Sequence, residues 1–183
     1  PAFSGRIDYP QKHPRMQQVW ERPARPSAGG LIMTTRHFPE DYQGNFLNSN
    51  VIGFQGFYRV RLSDEGSGIR GDRLGDIISS SDPNFRPLEI NVGPDGALYF
   101  LDWHNPIIGH MQHHLRDPNR DKRYGRIYRV TAEGRPLLVQ PQIHDQPIPA
   151  LLELLKEPEN HVRQLAKIEL DKHDSTAVIA ELN

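Results

Sequence analysis

The chain has no cysteine among its 183 residues. That excludes disulfides, cysteine-ligated zinc, thiol catalysis and covalent haem attachment within these residues. It leaves the compartment open, because exported proteins also lack cysteine. Long apolar runs are missing too. Nothing approaches the roughly 18 consecutive apolar residues of a membrane-spanning helix. The opening Pro1-Ala2-Phe3-Ser4-Gly5-Arg6 carries neither an initiator methionine nor an apolar leader. No signal peptide is in view, and the chain reads as a fragment or a processed product. Hydrophobic residues make up only 36% of it, and the mean hydropathy is -0.66, so a thin core is expected. There is no phosphate loop, Ser-His-Asp motif or dinucleotide fingerprint. Gly66-Ser67-Gly68 is too short and lacks a following helix.

Neither sign of charge is in excess overall, with a net charge of -1, but the two signs are unevenly spread. Arg6, Lys12, Arg15, Arg22 and Arg25 face only Asp8 and Glu21 in residues 1–30, and residues 145–183 are acidic. Neither this arm nor the basic stretch 116–135 is dense enough for a nucleic-acid footprint, so no nucleic-acid partner is expected.

What the chain does have is turn residues, with 16 Pro and 15 Gly. Residues 1–30 read as an extended, Pro-punctuated arm. From Gly30 short β-prone runs follow: Leu31–Thr35, Phe46–Ile52, Phe57–Leu62, Ile77–Ser80, Pro87–Val92, Ala97–Trp103 and Gly125–Val130, with Pro136–Val139 as a further candidate. Gly93-Pro94-Asp95-Gly96 has the composition of a turn, with Gly96 suited to positive φ. Phe57-Tyr58-Arg59-Val60 is echoed by Ile127-Tyr128-Arg129-Val130. Repeated strand units of this kind point to a β-propeller, with His104–Tyr124 as an insertion. After Pro149 the period becomes helical. Leu151, Leu152, Leu154 and Leu155 share a face, as do Val162, Leu165, Ala166, Ile168 and Leu170. Asn160 is the expected N-cap of the second helix and Asp174-Ser175 of the third. The expected fold class is mainly β with C-terminal α: about two blades of a partial propeller and the start of a helical repeat. The expected organisation is an arm over 1–30, propeller blades over 31–145 and helices over 146–183.

Residues 83–136 carry a resemblance. Pro83-Asn84-Phe85-Arg86-Pro87, Gly93–Tyr99, Asp102-Trp103-His104-Asn105-Pro106, Ile108–His113, Arg116–Asp121 and Gly125–Val130 resemble the membrane-bound dehydrogenase family of planctomycete type. Its propeller is similar to pyrroloquinoline quinone (PQQ)-dependent glucose and sorbosone dehydrogenases, and HEAT-like repeats follow it. The resemblance implies an exported, periplasmic or cell-envelope protein that oxidises a sugar or other alcohol. It implies PQQ and calcium as cofactors. Electrons would pass to a haem c domain, which with zero cysteine must lie outside this chain. The alternative is a non-catalytic module that binds glycans or a protein partner.

Candidate site residues follow. His104, His110, His113 and His114 fall close together. Neutral imidazole is both a natural base and a common metal ligand. His104, His110 or His113 would be the base of an alcohol oxidation, and His110, His113 and His114 a metal set. The other reading is that loop histidines bond backbone and pin a long insertion. The spacing HxxHH lacks the helix motif of a zincin. In a four-strand meander, the loop after the second strand lies at the same end as the loop after the fourth. His104–Tyr124 is therefore expected on the face where the glucose-dehydrogenase type keeps its cofactor mouth. Arg116 and Arg123, with Asn105, are the cofactor-contacting candidates, since arginine forks bind carboxylates and PQQ carries three. Arg120 and Arg126 belong to the same basic set. Asp117, Asn119 and Asp121 begin like a calcium loop, but Lys122 and Tyr128 break the EF-hand pattern. Asp102 and Asn105 resemble an NHL-type pair that bonds backbone within a blade.

Overall fold

The computed structural model describes residues 19–20, 23, 27–108 and 116–182. It is mainly antiparallel β-sheet, followed by three helices. Among the described residues there is no closed barrel, and no helix is long and apolar enough to cross a membrane. Most of the arm expected over 1–30 lies outside the described residues. The chain forms two compact units.

The first unit comprises Pro1–Met33, Gly44–Asn91 and Tyr99–Arg129. Its larger sheet runs β1 (Gly30–Ile32), β2 (Phe46–Asn50), β3 (Gly56–Glu65) and β4 (Gly68–Arg73), and a short β5 (Ile78–Ser79) pairs with the start of β3. All these pairings are antiparallel. β3 is the centre. Its successive residues Phe57 and Tyr58 point to opposite faces, and both are buried. Phe57 meets Phe100 edge-on at 5.0 Å between ring centres. On the other face Tyr58 meets Trp20 edge-on at 5.3 Å and stacks on Phe54 at 4.3 Å. β2 carries buried polar residues that are satisfied locally, as burial requires. Asn50 Nδ2 donates to the carbonyls of Ile52 and Phe54 and closes the β2–β3 turn. Asn48 Nδ2 donates to Ser27 Oγ and the Gly29 carbonyl.

β4 was not among the expected strands. Ile69 is its only large apolar residue and is half exposed, so no hydrophobic period marks it. It forms because Gly66, at φ 60, opens a two-residue turn that folds the chain back on the exposed half of β3. The second sheet has the order β6 (Pro87–Val92), β7 (Leu98–Asp102), β8 (Arg126–Val130). Phe85, Phe100 and Tyr128 meet there, with Phe100 and Tyr128 stacked at 5.1 Å. Each such ring pair adds about 0.5–1.5 kcal/mol beyond area burial. The repeated Tyr-Arg-Val falls on β3 and β8, the third strand of each sheet.

The second unit comprises Thr34–Gln43, Val92–Leu98 and Val130–Asn183. His37 is its buried hub. Its Nε2 accepts from the Ala132 N–H at 2.9 Å, so the proton sits on Nδ1, which donates to the Pro136 carbonyl at 2.8 Å. Arg135 Nε donates to the His37 carbonyl at 2.7 Å. Gly96 takes φ 78 in the expected turn, where a side chain would collide with His37 and Leu138. Asp95 Oδ1 accepts from the Ala97 N–H.

Pro136–Val139, read above as a possible strand, is not one. The Pro136 carbonyl goes to His37, the Leu138 N–H goes to the Asp95 carbonyl, and proline has no N–H for a ladder.

The helices are α1 (Ile148–Leu154), α2 (Asn160–Leu170) and α3 (Ser175–Glu181). Ile143, Leu151 and Val162 form their core, with Leu154 and Leu170 against it. Leu165 and Ile168, expected on the buried face, are exposed. Asn160 is the first helical residue rather than the cap. Glu159 holds the cap position, and its Oε1 accepts from the Arg36 N–H at 3.0 Å instead of capping. Asp174 caps α3 through the Ala177 N–H.

A Cβ on Gly56 would collide with the Ile78 carbonyl oxygen. Gly56→Ala is therefore expected to detach β5 while leaving the β2–β3 pairing intact. Hydrogen exchange should show faster exchange at the Ile77 and Ser80 amides, which donate to Phe57 and Gln55. Unchanged protection at both would contradict this.

Candidate functional site

The site lies where β7 ends. The Asp102 carboxylate is fully buried. Its Oδ1 accepts from the Arg86 N–H at 2.7 Å and from the His104 N–H at 2.8 Å. The second bond is an Asx turn, the local device by which aspartate redirects a chain. His104 then adopts φ 47, a left-handed conformation that histidine, asparagine and aspartate tolerate best. Asn105, also buried, ties the two ends of the β7–β8 connection together. Its Nδ2 donates to the Asp121 carbonyl at 2.8 Å, and its Oδ1 accepts from the Ile107 N–H at 3.2 Å.

Beneath this turn lies Arg86, 8% exposed. Its guanidinium donates from Nε to the Asn105 carbonyl at 3.0 Å, from Nη1 to Val51 at 2.9 Å and from Nη2 to Pro106 at 3.3 Å. Burial lowers its pKa from the ordinary arginine value, and the nearby negative charges of Asp102 and Asp82 oppose that shift.

Four polar side chains converge above it. His104 Nδ1 stands 3.8 Å from Asp102 Oδ2 and 4.0 Å from Asp82 Oδ2. Arg126 Nη1 stands 3.6 and 3.7 Å from the same two oxygens. Asp102 Oδ2 and His104 Nδ1 are both buried and make no hydrogen bond among the described residues. On the other side of the ring, Arg126 Nη2 lies 3.2 Å from His104 Nε2. A guanidinium only donates, so Nε2 is the acceptor. The imidazole proton is thereby placed on Nδ1, facing the two carboxylates. The result is an imidazole whose backbone is held by a buried carboxylate, with one ring nitrogen near that carboxylate and the basic one turned toward an exposed arginine.

Of the residues singled out from the sequence, Asp102, His104, Asn105 and Arg126 lie at this site, and Asp102 and Asn105 bond backbone as expected. His110, His113 and His114 lie outside the described residues. Arg116 and Arg123 line an open polar hollow with Arg120, Lys122, Asp117 and Asp121. Asp117 Oδ1 accepts from the Asn119 N–H at 2.9 Å and Asp121 Oδ1 from the Arg123 N–H at 2.8 Å. These two carboxylates thus order the loop through its own backbone. Asp82 and Arg86 escaped the sequence reading. The one signal for Arg86 is its place in Phe85-Arg86-Pro87, an arginine between an aromatic and a proline at the start of a strand.

The family described as Domain of unknown function (DUF7133) matches residues 11–134. No curated protein and no solved structure matches the chain.

Arg86→Met is expected to leave three carbonyls without their donor and to lower stability by at least about 2 kcal/mol. Arg86→Lys should recover only part of this, because an ammonium cannot reproduce the planar fork. Urea unfolding measures both. A methionine variant as stable as the parent would refute the role given to Arg86.

Proposed function

The chain belongs to the DUF7133 family, and we propose that it is part of a quinoprotein-like dehydrogenase that oxidises a sugar or other alcohol. The observation that carries this reading is the oriented imidazole of His104, set by the buried carboxylate of Asp102. The element order supports it: two sheets with a repeated third strand, then helices, as in a partial propeller followed by a HEAT-like repeat.

Alcohol oxidation to a carbonyl removes a hydroxyl proton and a hydride from carbon. His104 Nε2 is the group that would take the proton, and Asp102 would stabilise the imidazolium formed. Arg126 now donates to Nε2 and must turn aside first. Its side chain is 43% exposed, so water can take over its bond to Nε2, while its contacts with Asp102 and Asp82 are what the movement must loosen. Beside the substrate oxygen, its charge would favour the developing alkoxide.

A bound PQQ would supply the hydride acceptor. Its three carboxylates would meet Arg116 and Arg123 beside Arg120 and Lys122, in a hollow whose four cations outnumber the carboxylates of Asp117 and Asp121. Asn105 does not fit that role, because both ends of its amide are engaged with backbone. Calcium with the quinone, a haem c domain elsewhere in the protein and a periplasmic or envelope location complete the proposal, on the resemblance alone.

A second reading, a glycan- or protein-binding module, draws on the same turn, where Asp102 and Asn105 both bond backbone.

The two readings separate in the full-length protein supplied with PQQ and calcium, with dye-linked oxidation of a broad sugar and alcohol panel as readout. His104→Asn suits the test because asparagine tolerates the left-handed backbone at this position. It should lower kcat by about 10²- to 10⁴-fold with an unchanged circular dichroism spectrum. No turnover by the parent protein, or an asparagine variant at parental rate, would overturn the dehydrogenase reading.

A further inference from the structure

The second unit carries a cluster that the proposed function does not use. His144 and Asp145 stand on the turn before α1, and Glu169 stands near the end of α2. Two hydrogen bonds and one left-handed residue shape the group. Gln146 N–H donates to the Ile143 carbonyl and closes the turn. Asp145 takes φ 58 within it. The Asp145 N–H donates to Glu169 Oε1 at 3.3 Å and holds the turn on α2.

His144 sits between the two carboxylates. Its Nδ1 is 3.4 Å from Glu169 Oε1, and its Nε2 is 3.2 Å from Asp145 Oδ2. One ligand atom from each of the three residues lies within 4.8 Å of the others. Glu169 is 8% exposed, and its two oxygens do different things. Oε2 accepts from Lys172 Nζ at 2.6 Å, while Oε1 faces His144 and Asp145. The Lys172 bond holds the Glu169 pKa below the ordinary carboxylate value. Burial opposes this, while the Asp145 N–H and His144 reinforce it. The carboxylate is therefore ionised at neutral pH, with one oxygen anchored and the other directed at the cluster.

We propose that His144, Asp145 and Glu169 form a divalent-cation site of the zinc type, distinct from the β7–β8 turn. One imidazole nitrogen and two carboxylate oxygens are a zinc-competent donor set, and water completes four-coordination on the exposed side. A tetrahedral ion about 2.1 Å from its ligands sets them about 3.4 Å apart. Whichever ring nitrogen binds stands at that spacing from one carboxylate, and the third donor, within 4.8 Å, closes the remaining distance by rotation of the exposed Asp145 or His144 side chain. Lys172 keeps its place on Oε2 as an outer-sphere partner that orients the ligand carboxylate. The ion would pin the 143–146 turn to α2.

The test uses the whole chain, stripped with chelator and titrated with zinc chloride by calorimetry, with the thermal unfolding midpoint followed in parallel. Asp145→Asn and His144→Gln change exposed side chains and should preserve the fold. His110, His113 and His114 are replaced by Gln in every sample, so that they cannot take up the ion. One equivalent of zinc should bind and raise the midpoint. Each variant should weaken binding by at least about tenfold and abolish the rise. No uptake by the parental cluster, or equal uptake by both variants, would overturn the site.

Discussion

The buried guanidinium of Arg86 is the interaction on which the first unit depends. A charge taken out of water must be met by hydrogen bonds, and Arg86 meets that demand with carbonyls from two separate connections. Val51 belongs to the turn between β2 and β3, and Asn105 and Pro106 to the connection that leaves β7. One side chain therefore fixes both crossings between neighbouring strands. Its own N–H is held by Asp102, which also sets the backbone of His104. The backbone position of His104 follows from that sequence of constraints, and Arg126 then meets the ring at Nε2.

The electrostatics follow from the same geometry. Asp102 has one oxygen saturated by backbone donors and the other turned toward His104 and Arg126. A carboxylate divided in this way holds its neighbours in place and still offers them charge. Asp82, 42% exposed, adds a second negative charge from the solvent side. Arg126 and, from beneath, Arg86 together compensate both, and Arg126 also caps the basic nitrogen of His104. The cluster is balanced in charge while its most exposed member remains the easiest to displace.

Much of the fold was legible because hydrophobic period reports burial. The runs at Phe57, Pro87, Ala97 and Gly125 are strands, and the leucines after Pro149 mark α1. β4 was illegible because it gains its place by pairing with β3 and not by burying a face. Pro136–Val139 looked like a strand because its apolar residues were visible and the hydrogen-bond partners of its backbone were not. Of the candidate site, Asp102, His104, Asn105 and Arg126 could be picked out by residue type and position. Arg86 could not, since nothing in the spacing of arginines tells a buried one from a solvated one. Asp82 is near His104 only through the fold. Glu169 reads in sequence as one more acidic residue on an amphipathic helix, and only the turn at Asp145 gives it neighbours.

The bond from Asn105 Nδ2 to the Asp121 carbonyl has a consequence for how such a chain can diversify. It clasps the connection at its root, so whatever lies between is a closed loop whose ends are already held together. Lengthening a closed loop is cheap, at about 0.6 kcal/mol per doubling. Residues beyond Pro106 and Ile107, which Arg86 and Asn105 hold, can be exchanged or extended without disturbing β7, β8 or the turn that orients His104. The sheets and the clasp form a frame that does not depend on the length of the segment it encloses.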